Sequence, residues 1–198
     1  MALAVPSRRR AIEDVASALF RRQGYAGTSV RDIARALDMQ GASLYAHVAS
    51  KEEVLWSIVD RAAHRFESAA EAADAGLPAS AGVVDRIAAL VRAHTEVIAG
   101  DPELASVFVH EWRHLRGARR EEILARRDAY EHRLRTLIAD GMASGELLPT
   151  DPATAATFIL TALNGLATWY DPRGRLSPDR LADHYAGFAV RALTEDRR

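Results

Sequence analysis

The chain has 198 residues, of which 48% are hydrophobic and 27% are charged, and its formal net charge at pH 7 is −1. This composition is typical of a globular protein with a sizeable core and excludes a disordered tail protein. The absence of cysteine excludes a disulfide framework and a thiolate metal site, and no apolar run reaches the ~20 residues of a membrane helix.

The charge is unevenly distributed along the chain. Residues 1–51 contain eight Lys and Arg against four Asp and Glu, a balance of +4, whereas the remaining residues contain 18 against 23, a balance of −5. A small basic head on an acidic body is the pattern of a protein whose head binds a polyanion, although ordinary variation in surface charge is the alternative. The N-terminus lacks the order of a secretory signal, so we expect a cytoplasmic protein.

Apolar spacing in the first third of the chain is helical. Ser7 can cap a first helix that ends at Gly24, and Thr28 or Ser29 can cap a second, short helix. A turn over residues 38–40 precedes a third short helix. Side chains predicted to face inward are Ile12, Val15, Leu19, Phe20, Ile33, Ala34, Leu37, Leu44 and Val48. Ser50 and Glu53 predict a capping box at the start of a long fourth helix.

The rest of the chain shows the same helical period and no alternating strand pattern. After a loop over residues 73–82, the predicted helices cover about 83–99, 102–115, 118–143, 152–170 and 178–193. The sequence therefore predicts an all-α protein of about nine helices. We expect an N-terminal three-helix helix-turn-helix domain over residues 1–50 and a C-terminal helical ligand-binding and dimerisation domain over residues 51–198.

The second and third helices have the spacing of a helix-turn-helix, in which Ala34 must be small because the helices cross there. The outer face of the third helix would then enter a DNA major groove about 12 Å wide. Candidate base contacts are Gln40, Ala42 and Ser43, and candidate phosphate contacts are Thr28, Ser29, Arg31, Tyr45, His47 and Lys51. The alternative from the pattern alone is an ordinary helix pair in which Tyr45 belongs to the core.

The stretch TSVRDIARALDMQGASLYAHVASKEEVL, residues 28–55, resembles the DNA-binding head of the TetR family of transcriptional regulators. The family pattern T-x-x-x-I-A, a turn and L-Y-x-H-F-x-x-K-E-x-L recurs here at the same spacing, over roughly residues 9–56. Asp38 replaces the usual turn glycine, and Val48 replaces an aromatic residue. Aspartate tolerates the left-handed conformation better than most residues.

The resemblance implies a homodimer that binds a palindromic operator, usually as a repressor, and releases it when a small molecule binds the body. The last two helices would then form the dimer interface. Candidate interface residues are Phe158, Ala162, Leu166, Leu181, Tyr185 and Phe188. The alternative is that these apolar stripes belong to the core of a single chain.

The body resembles a TetR subgroup whose effectors are acyl-CoA thioesters. In the stretch LNGLATWYDPRGRLS, Asn164, Trp169 and Tyr170 match the subgroup signature, whereas Gly165 and Thr168 replace an aromatic residue and an arginine. A different hydrophobic effector, or no tight ligand, is therefore an open alternative. Candidate ligand-binding residues are His110, Trp112, Arg113, His114, Asn164, Thr168 and Trp169; Trp169 is equally suited to a dimer interface.

The segment HEWRH, residues 110–114, spells the zinc-protease pattern H-E-x-x-H, in which His110 and His114 would bind zinc and Glu111 would act as general base. The longer protease motif fails because Arg120 occupies the third ligand position. The chain also predicts no sheet against which a peptide substrate could align. A helical metal-dependent hydrolase is therefore the alternative function, and we expect a DNA-binding regulator with no catalytic activity, cofactor or bound metal.

Overall fold

The computed structural model describes residues 7–194, apart from the side chain of residue 42. Within this range the chain forms nine α-helices and one short 3-10 helix, and no strand. The α-helices are α1 Arg8–Gly27, α2 Val30–Ala36, α3 Gly41–Tyr45, α4 Lys51–Ala75, α5 Val83–Gly100, α6 Pro102–His110, α7 Gly117–Ser144, α8 Pro152–Trp169 and α9 Pro178–Leu193; the 3-10 helix is Trp112–His114. The predicted all-α fold is confirmed.

The described residues divide into two compact units. The first comprises the chain up to Ala63 together with Glu103–Ile123, and the second comprises His64–Pro102 together with the chain from Leu124 onward. The first unit therefore contains α1–α3, the first half of α4 and also α6 from Glu103 onward, which is distant from them in sequence. The domain boundary near residue 50 stays a prediction.

The first unit is built on the buried face of α1. Ile12, Ala16 and Phe20 are buried on this face, one helical turn apart. Gly24 breaks the helix with φ +76°, a conformation that glycine adopts without a steric penalty. The predicted end at Gly24 therefore marks this break, after which the chain makes one further turn to Gly27.

Short-range hydrogen bonds define both ends of α2. The Ser29 side chain accepts from the Asp32 backbone N–H, and Asp32 accepts from the Ser29 backbone N–H at 2.9 Å, so this helix begins with a capping box. After α2, Asp38 adopts φ +52°, the left-handed conformation that the sequence predicted for it. Ala34 is fully buried, as the close approach of α2 and α3 requires.

Helix α4 begins with a local cap and is joined to α1 by an ion pair further along. The Ser50 hydroxyl accepts from the Glu53 backbone N–H at 3.0 Å, and Glu53 accepts from the Ala49 N–H at 2.6 Å. In the predicted capping box the Glu53 carboxylate would accept from the Ser50 backbone N–H. It accepts instead from the N–H of Ala49, one residue earlier. Further along α4, Arg61 pairs with Glu13 at 3.0 Å, although burial is the larger influence on Glu13 and raises its pKa.

The second unit surrounds one apolar core. Ile87, Leu90 and Val91 of α5 pack with Leu134 and Ile138 of α7, and α8 and α9 complete the cluster through Ile159, Leu163, Ala186, Ala189 and Leu193. Burial of such side chains contributes about 1.5–3 kcal/mol each. None of the helices in the described range combines the length and apolar composition needed to cross a membrane.

Candidate DNA-binding surface and effector site

Helix α3 presents polar side chains on one side and apolar ones on the other. Gln40 at its N-cap and Ser43 are exposed. Leu44 of α3 and Val48, which follows the helix, are buried within the first unit. Tyr45 is 56% exposed, so it does not belong to the core. The side chain of Ala42, the third candidate base contact, lies outside the described residues. The exposed side matches the outward face that a recognition helix needs.

The predicted phosphate contacts fall into two groups. Ser29, Arg31 and His47 are exposed. Thr28 is 1% exposed, and its hydroxyl donates to the Gly24 carbonyl at 2.8 Å. The Thr28 side chain therefore closes the end of α1 and does not face outward, which corrects the expected phosphate contact from its hydroxyl.

Lys51 is half-buried and directed towards the protein. Its ammonium donates to the carbonyl oxygens of Tyr25 and Thr28 at 2.8 Å each. It also lies 4.1 Å from the centroid of the Tyr25 ring, within cation–π range. Burial lowers the pKa of Lys51. Because a lysine has three donor hydrogens, this arrangement leaves little capacity for the predicted phosphate contact.

The HEWRH segment does not lie on one continuous helix. Helix α6 ends at His110, and Trp112–His114 form the separate 3-10 turn. His110 and His114 are therefore not one α-helical turn apart, as they would be on the predicted helix over residues 102–115. Within the described part of the chain, no three histidine, aspartate or glutamate side chains are grouped as metal ligands would be.

Glu111 and His114 instead contact the end of α1. Glu111 Oε2 accepts from the Tyr25 backbone N–H at 3.2 Å and lies 3.4 Å from His114 Nε2. The His114 ring stacks on the Tyr25 ring with centroids 5.0 Å apart and planes 26° apart. Burial, followed by the nearby Glu52 carboxylate, raises the pKa of Tyr25. The sequence alone did not identify Tyr25 as a partner of this segment.

The remaining candidate ligand residues lie in both units. Trp112 is half-buried in the first unit, and the guanidinium groups of Arg113 and Arg120 each lie 5.9 Å from its ring centroid. In the second unit, Thr168 is exposed, Asn164 is half-buried and Trp169 is 55% exposed. These placements leave the predicted ligand contacts as predictions.

The second unit contains a buried polar pair that sequence reasoning missed. His94 of α5 is 4% exposed, and its Nδ1 lies 3.1 Å from the Tyr130 hydroxyl of α7. Phe66 of α4 packs on the His94 ring with centroids 4.6 Å apart. His94 Nε2 is buried and has no hydrogen-bond partner among the described residues. The only sequence signal was a single histidine within the apolar stretch of α5.

The electrostatics of this pair follow from burial. Burial lowers the pKa of His94 to about 3, hydrogen bonding with the Asn164 side chain opposes the shift, and the Arg127 charge adds to it. The imidazole is therefore neutral at pH 7. Burial also raises the pKa of the Tyr130 phenol, so the hydroxyl keeps its proton. A Tyr130 hydroxyl that donates to Nδ1 leaves the His94 proton on Nε2, a buried donor that has no acceptor at normal hydrogen-bond distance, although the Asn164 side chain acts on the ring.

An exposed apolar face on α8 and α9 contains three of the six residues predicted for the dimer interface, which stays a prediction. Phe158 is 64% exposed and Phe188 is 58% exposed, and Ala162 is also exposed. The other predicted residues differ: Leu166 and Leu181 are buried within the chain, and Tyr185 is half-buried against its core. Leu166 and Leu181 therefore belong to the core, because their sides of α8 and α9 point inward.

Two family models match the chain. The model for bacterial regulatory proteins of the tetR family matches residues 12–58, and the model for the tetracyclin repressor-like C-terminal domain matches residues 80–193. Among curated proteins, the HTH-type transcriptional repressor KstR2 of Rhodococcus jostii (strain RHA1) is 27% identical over a comparison of 195 residues that covers 94% of this chain and 91% of that protein.

Solved structures show the same similarity. KstR2 of Mycobacterium tuberculosis, a ketosteroid transcriptional regulator, has a TM-score of 0.84 at 25% identity and covers 97% of each chain. AibR in complex with isovaleryl coenzyme A and operator DNA has a TM-score of 0.80 at 30% identity, over 92% of this chain and 97% of that chain. With its helix-turn-helix head and helical body, the chain belongs to the TetR family and is a TetR-type transcriptional repressor.

Proposed function

We propose that this repressor binds a palindromic operator as a homodimer and releases it when an acyl-CoA thioester binds in the second unit. The regulator would act in the cytoplasm, where the operator is, and its mechanism is binding with allosteric release, without a catalytic step. Exposed residues of α3 would read the operator, and the exposed face of α8 and α9 would pair with the same face of a second chain.

The observation that carries the effector proposal is the buried Nε2 of His94, which makes no hydrogen bond of normal length to the described residues, although the Asn164 side chain acts on the ring. A buried donor without an acceptor costs about 1–3 kcal/mol, and a ligand carbonyl oxygen would remove this cost. The surroundings are apolar, because Phe66 packs on the imidazole and Tyr130, its other ring neighbour, packs against the apolar core of the second unit. The thioester carbonyl is the acceptor that an acyl-CoA would place beside its acyl chain.

The similarity to AibR, solved with isovaleryl coenzyme A and operator DNA, supports this class of effector. Gly165 and Thr168 argue for a different anchor for the CoA phosphates from the arginine of the subgroup signature. Two cations in the second unit, Arg127 and Arg133, are candidates, and Arg127 already acts electrostatically on His94. A free hydrophobic molecule with a carbonyl group is the second candidate effector.

Operator release in the presence of isovaleryl-CoA and longer acyl-CoA thioesters tests the proposal. We expect a thioester to release a footprinted operator fragment and to raise the melting temperature, whereas CoA and the free acids do neither. Release by a free acid alone would assign the repressor to a free hydrophobic effector. A thioester series without effect would contradict the acyl-CoA class.

A substitution at His94 tests the location. His94→Phe keeps an aromatic ring against Phe66 but removes the Nε2 donor, so we expect operator binding without thioester-dependent release. The matched control is His132→Phe, at an exposed histidine of α7 in the same unit. If His94→Phe released the operator at the same thioester concentration as the wild type, the carbonyl would bind elsewhere.

A further inference from the structure

The HEWRH segment and the residues directly after it contact two parts of the first unit that are distant from them in sequence. Glu111 accepts from the backbone N–H of Tyr25 at 3.2 Å, and His114 stacks on the Tyr25 ring. Beyond the 3-10 turn, the Arg116 backbone N–H donates to Glu52 of α4 at 3.2 Å. Residues 111–116 therefore contact both the end of α1 and the start of α4, the two elements that border the helix-turn-helix.

The turn that Glu111 contacts leads directly into α2. Gly24 has φ +76°, and after the Tyr25 N–H comes the short run of chain to the Ser29 cap. A carboxylate that accepts from a backbone N–H forms a charge-assisted bond, which is about twice as strong as a neutral one. Tyr25 is held at three points, because Glu111 binds its N–H, Lys51 binds its carbonyl and His114 covers its ring.

We propose that Glu111 and His114 are positioning residues for DNA binding. They fix the turn at Tyr25 and so set the direction in which α2 and α3 leave the body of the first unit. Glu111 then has a use for its carboxylate that differs from the general base of a hydrolase. This role rests on the proposed palindromic operator, since two heads must have a fixed orientation to occupy half-sites about one helical turn, ~34 Å, apart.

The effect should appear in the binding of paired half-sites. A single head can adjust its orientation on one half-site, whereas two heads of a dimer must fit both half-sites together. We expect Glu111→Ala to lower the affinity for a footprinted two-half-site operator about tenfold, relative to the same fragment with one half-site scrambled. A loss of folded protein would lower both affinities equally and leave their ratio unchanged.

Three further variants make the test specific. Glu111→Gln retains an oxygen that can accept from Tyr25 and should restore most of the ratio. His114→Ala removes the stacked ring at a partly exposed site, so it tests the same role if Glu111→Ala does not fold. Glu103→Ala is the matched control, because Glu103 of α6 also pairs with α1, through Arg21 at 3.9 Å, but only at the surface.

The two proposals fail in different ways. A wild-type protein that bound the scrambled fragment as tightly as the intact operator would overturn the palindromic operator, and this inference with it. A wild-type preference for the intact operator that Glu111→Ala and His114→Ala both preserved would overturn the positioning role alone. The same loss in Glu103→Ala as in Glu111→Ala would also overturn it, because any contact between α6 and α1 would then suffice.

Discussion

Lys51 at the first residue of α4 binds the backbone of Tyr25, 26 residues earlier in the chain. Its ammonium lies 2.8 Å from the Tyr25 carbonyl oxygen and 4.1 Å from the Tyr25 ring centroid. The side chain thus joins the start of α4 to the loop that leads into the helix-turn-helix. The Lys51 Nζ was predicted to bind a DNA phosphate, but in the structure the same atom binds backbone carbonyl oxygens of the protein.

Removal of the Lys51 ammonium should destabilise the fold. Lys51→Met removes two charge-assisted hydrogen bonds to carbonyl oxygens, so we expect the free energy of unfolding to fall by about 2 kcal/mol. Urea unfolding measures this change. A direct phosphate contact would make a second difference, a reduction of about 1 in the slope of log K against log salt. We expect the slope to stay unchanged, and a reduced slope with unchanged stability would restore Lys51 to the phosphate contacts.

Substitution of Tyr45 should lower operator affinity and leave stability nearly unchanged, the reverse of the effect expected for Lys51. Its side chain is 56% exposed, so Tyr45→Ala should change the free energy of unfolding by no more than about 0.5 kcal/mol. Loss of a hydrogen bond to a charged phosphate should lower the operator affinity about tenfold or more, as fluorescence anisotropy can measure. Tyr45→Phe separates the hydroxyl from the ring. Wild-type affinity in both variants would remove Tyr45 from the DNA-contact surface.

Local signals made most of the fold predictable from the sequence. Helix caps such as Ser29 and the apolar periods of α8 and α9 depend on residues a few positions apart, so they can be read without tertiary information. Helix α6 was predicted too long because HEWRH continues the apolar pattern past His110. The contact of Glu111 with Tyr25, which bridges 86 residues, competes with that pattern and is not visible in it.

The functional surfaces were less predictable for the same reason. Leu166 and Phe158 look alike in an apolar stripe, but the first faces the core and the second faces outward. Thr28 matches a family pattern of DNA contacts, yet its hydroxyl donates a hydrogen bond to the Gly24 carbonyl oxygen. His94 is an unremarkable histidine in the sequence, because its burial and its partner Tyr130 depend on how α5 and α7 pack.

The turn at Asp38 offers a test of backbone conformation. Asp38 has φ +52°, where any side chain costs about 1 kcal/mol relative to glycine. Asp38→Gly should therefore stabilise the protein in urea unfolding, by up to about 1 kcal/mol. Ala18→Gly, at an exposed residue inside α1, is the control and should destabilise by a similar amount. Destabilisation by Asp38→Gly would show that the aspartate side chain stabilises the turn by more than the strain costs.

The buried imidazole predicts how stability depends on pH. The pKa of His94 is about 3 in the folded protein, against an ordinary histidine value of 6.5 in the unfolded chain, so below pH 6.5 the unfolded chain takes up a proton that the folded chain does not. Stability is therefore fully present above pH 6.5 and decreases as the pH falls towards 3. At pH 5 the loss from this group alone is about 2 kcal/mol.

Comparison with His94→Phe isolates this contribution. Between pH 7 and pH 5 the variant should lose less stability than the wild type, by about 2 kcal/mol in chemical denaturation. His132→Phe, at an exposed histidine, is the control for the same substitution outside the core. Equal losses in the wild type and in His94→Phe would mean that His94 is protonated in the folded state at pH 5.

The exposed face of α8 and α9 predicts the effect of a charge on assembly. Phe158 and Phe188 are more than half exposed, and burying such rings in a dimer contributes about 1.5–3 kcal/mol each. Phe188→Arg would place a like charge against its copy in a symmetric interface, since the same patch meets itself across a two-fold axis. We expect sedimentation to show monomers, and operator affinity to fall because paired heads are lost. Leu148→Arg, at an exposed apolar residue outside both helices, should remain dimeric. A dimer that survived Phe188→Arg would assign the interface to another surface.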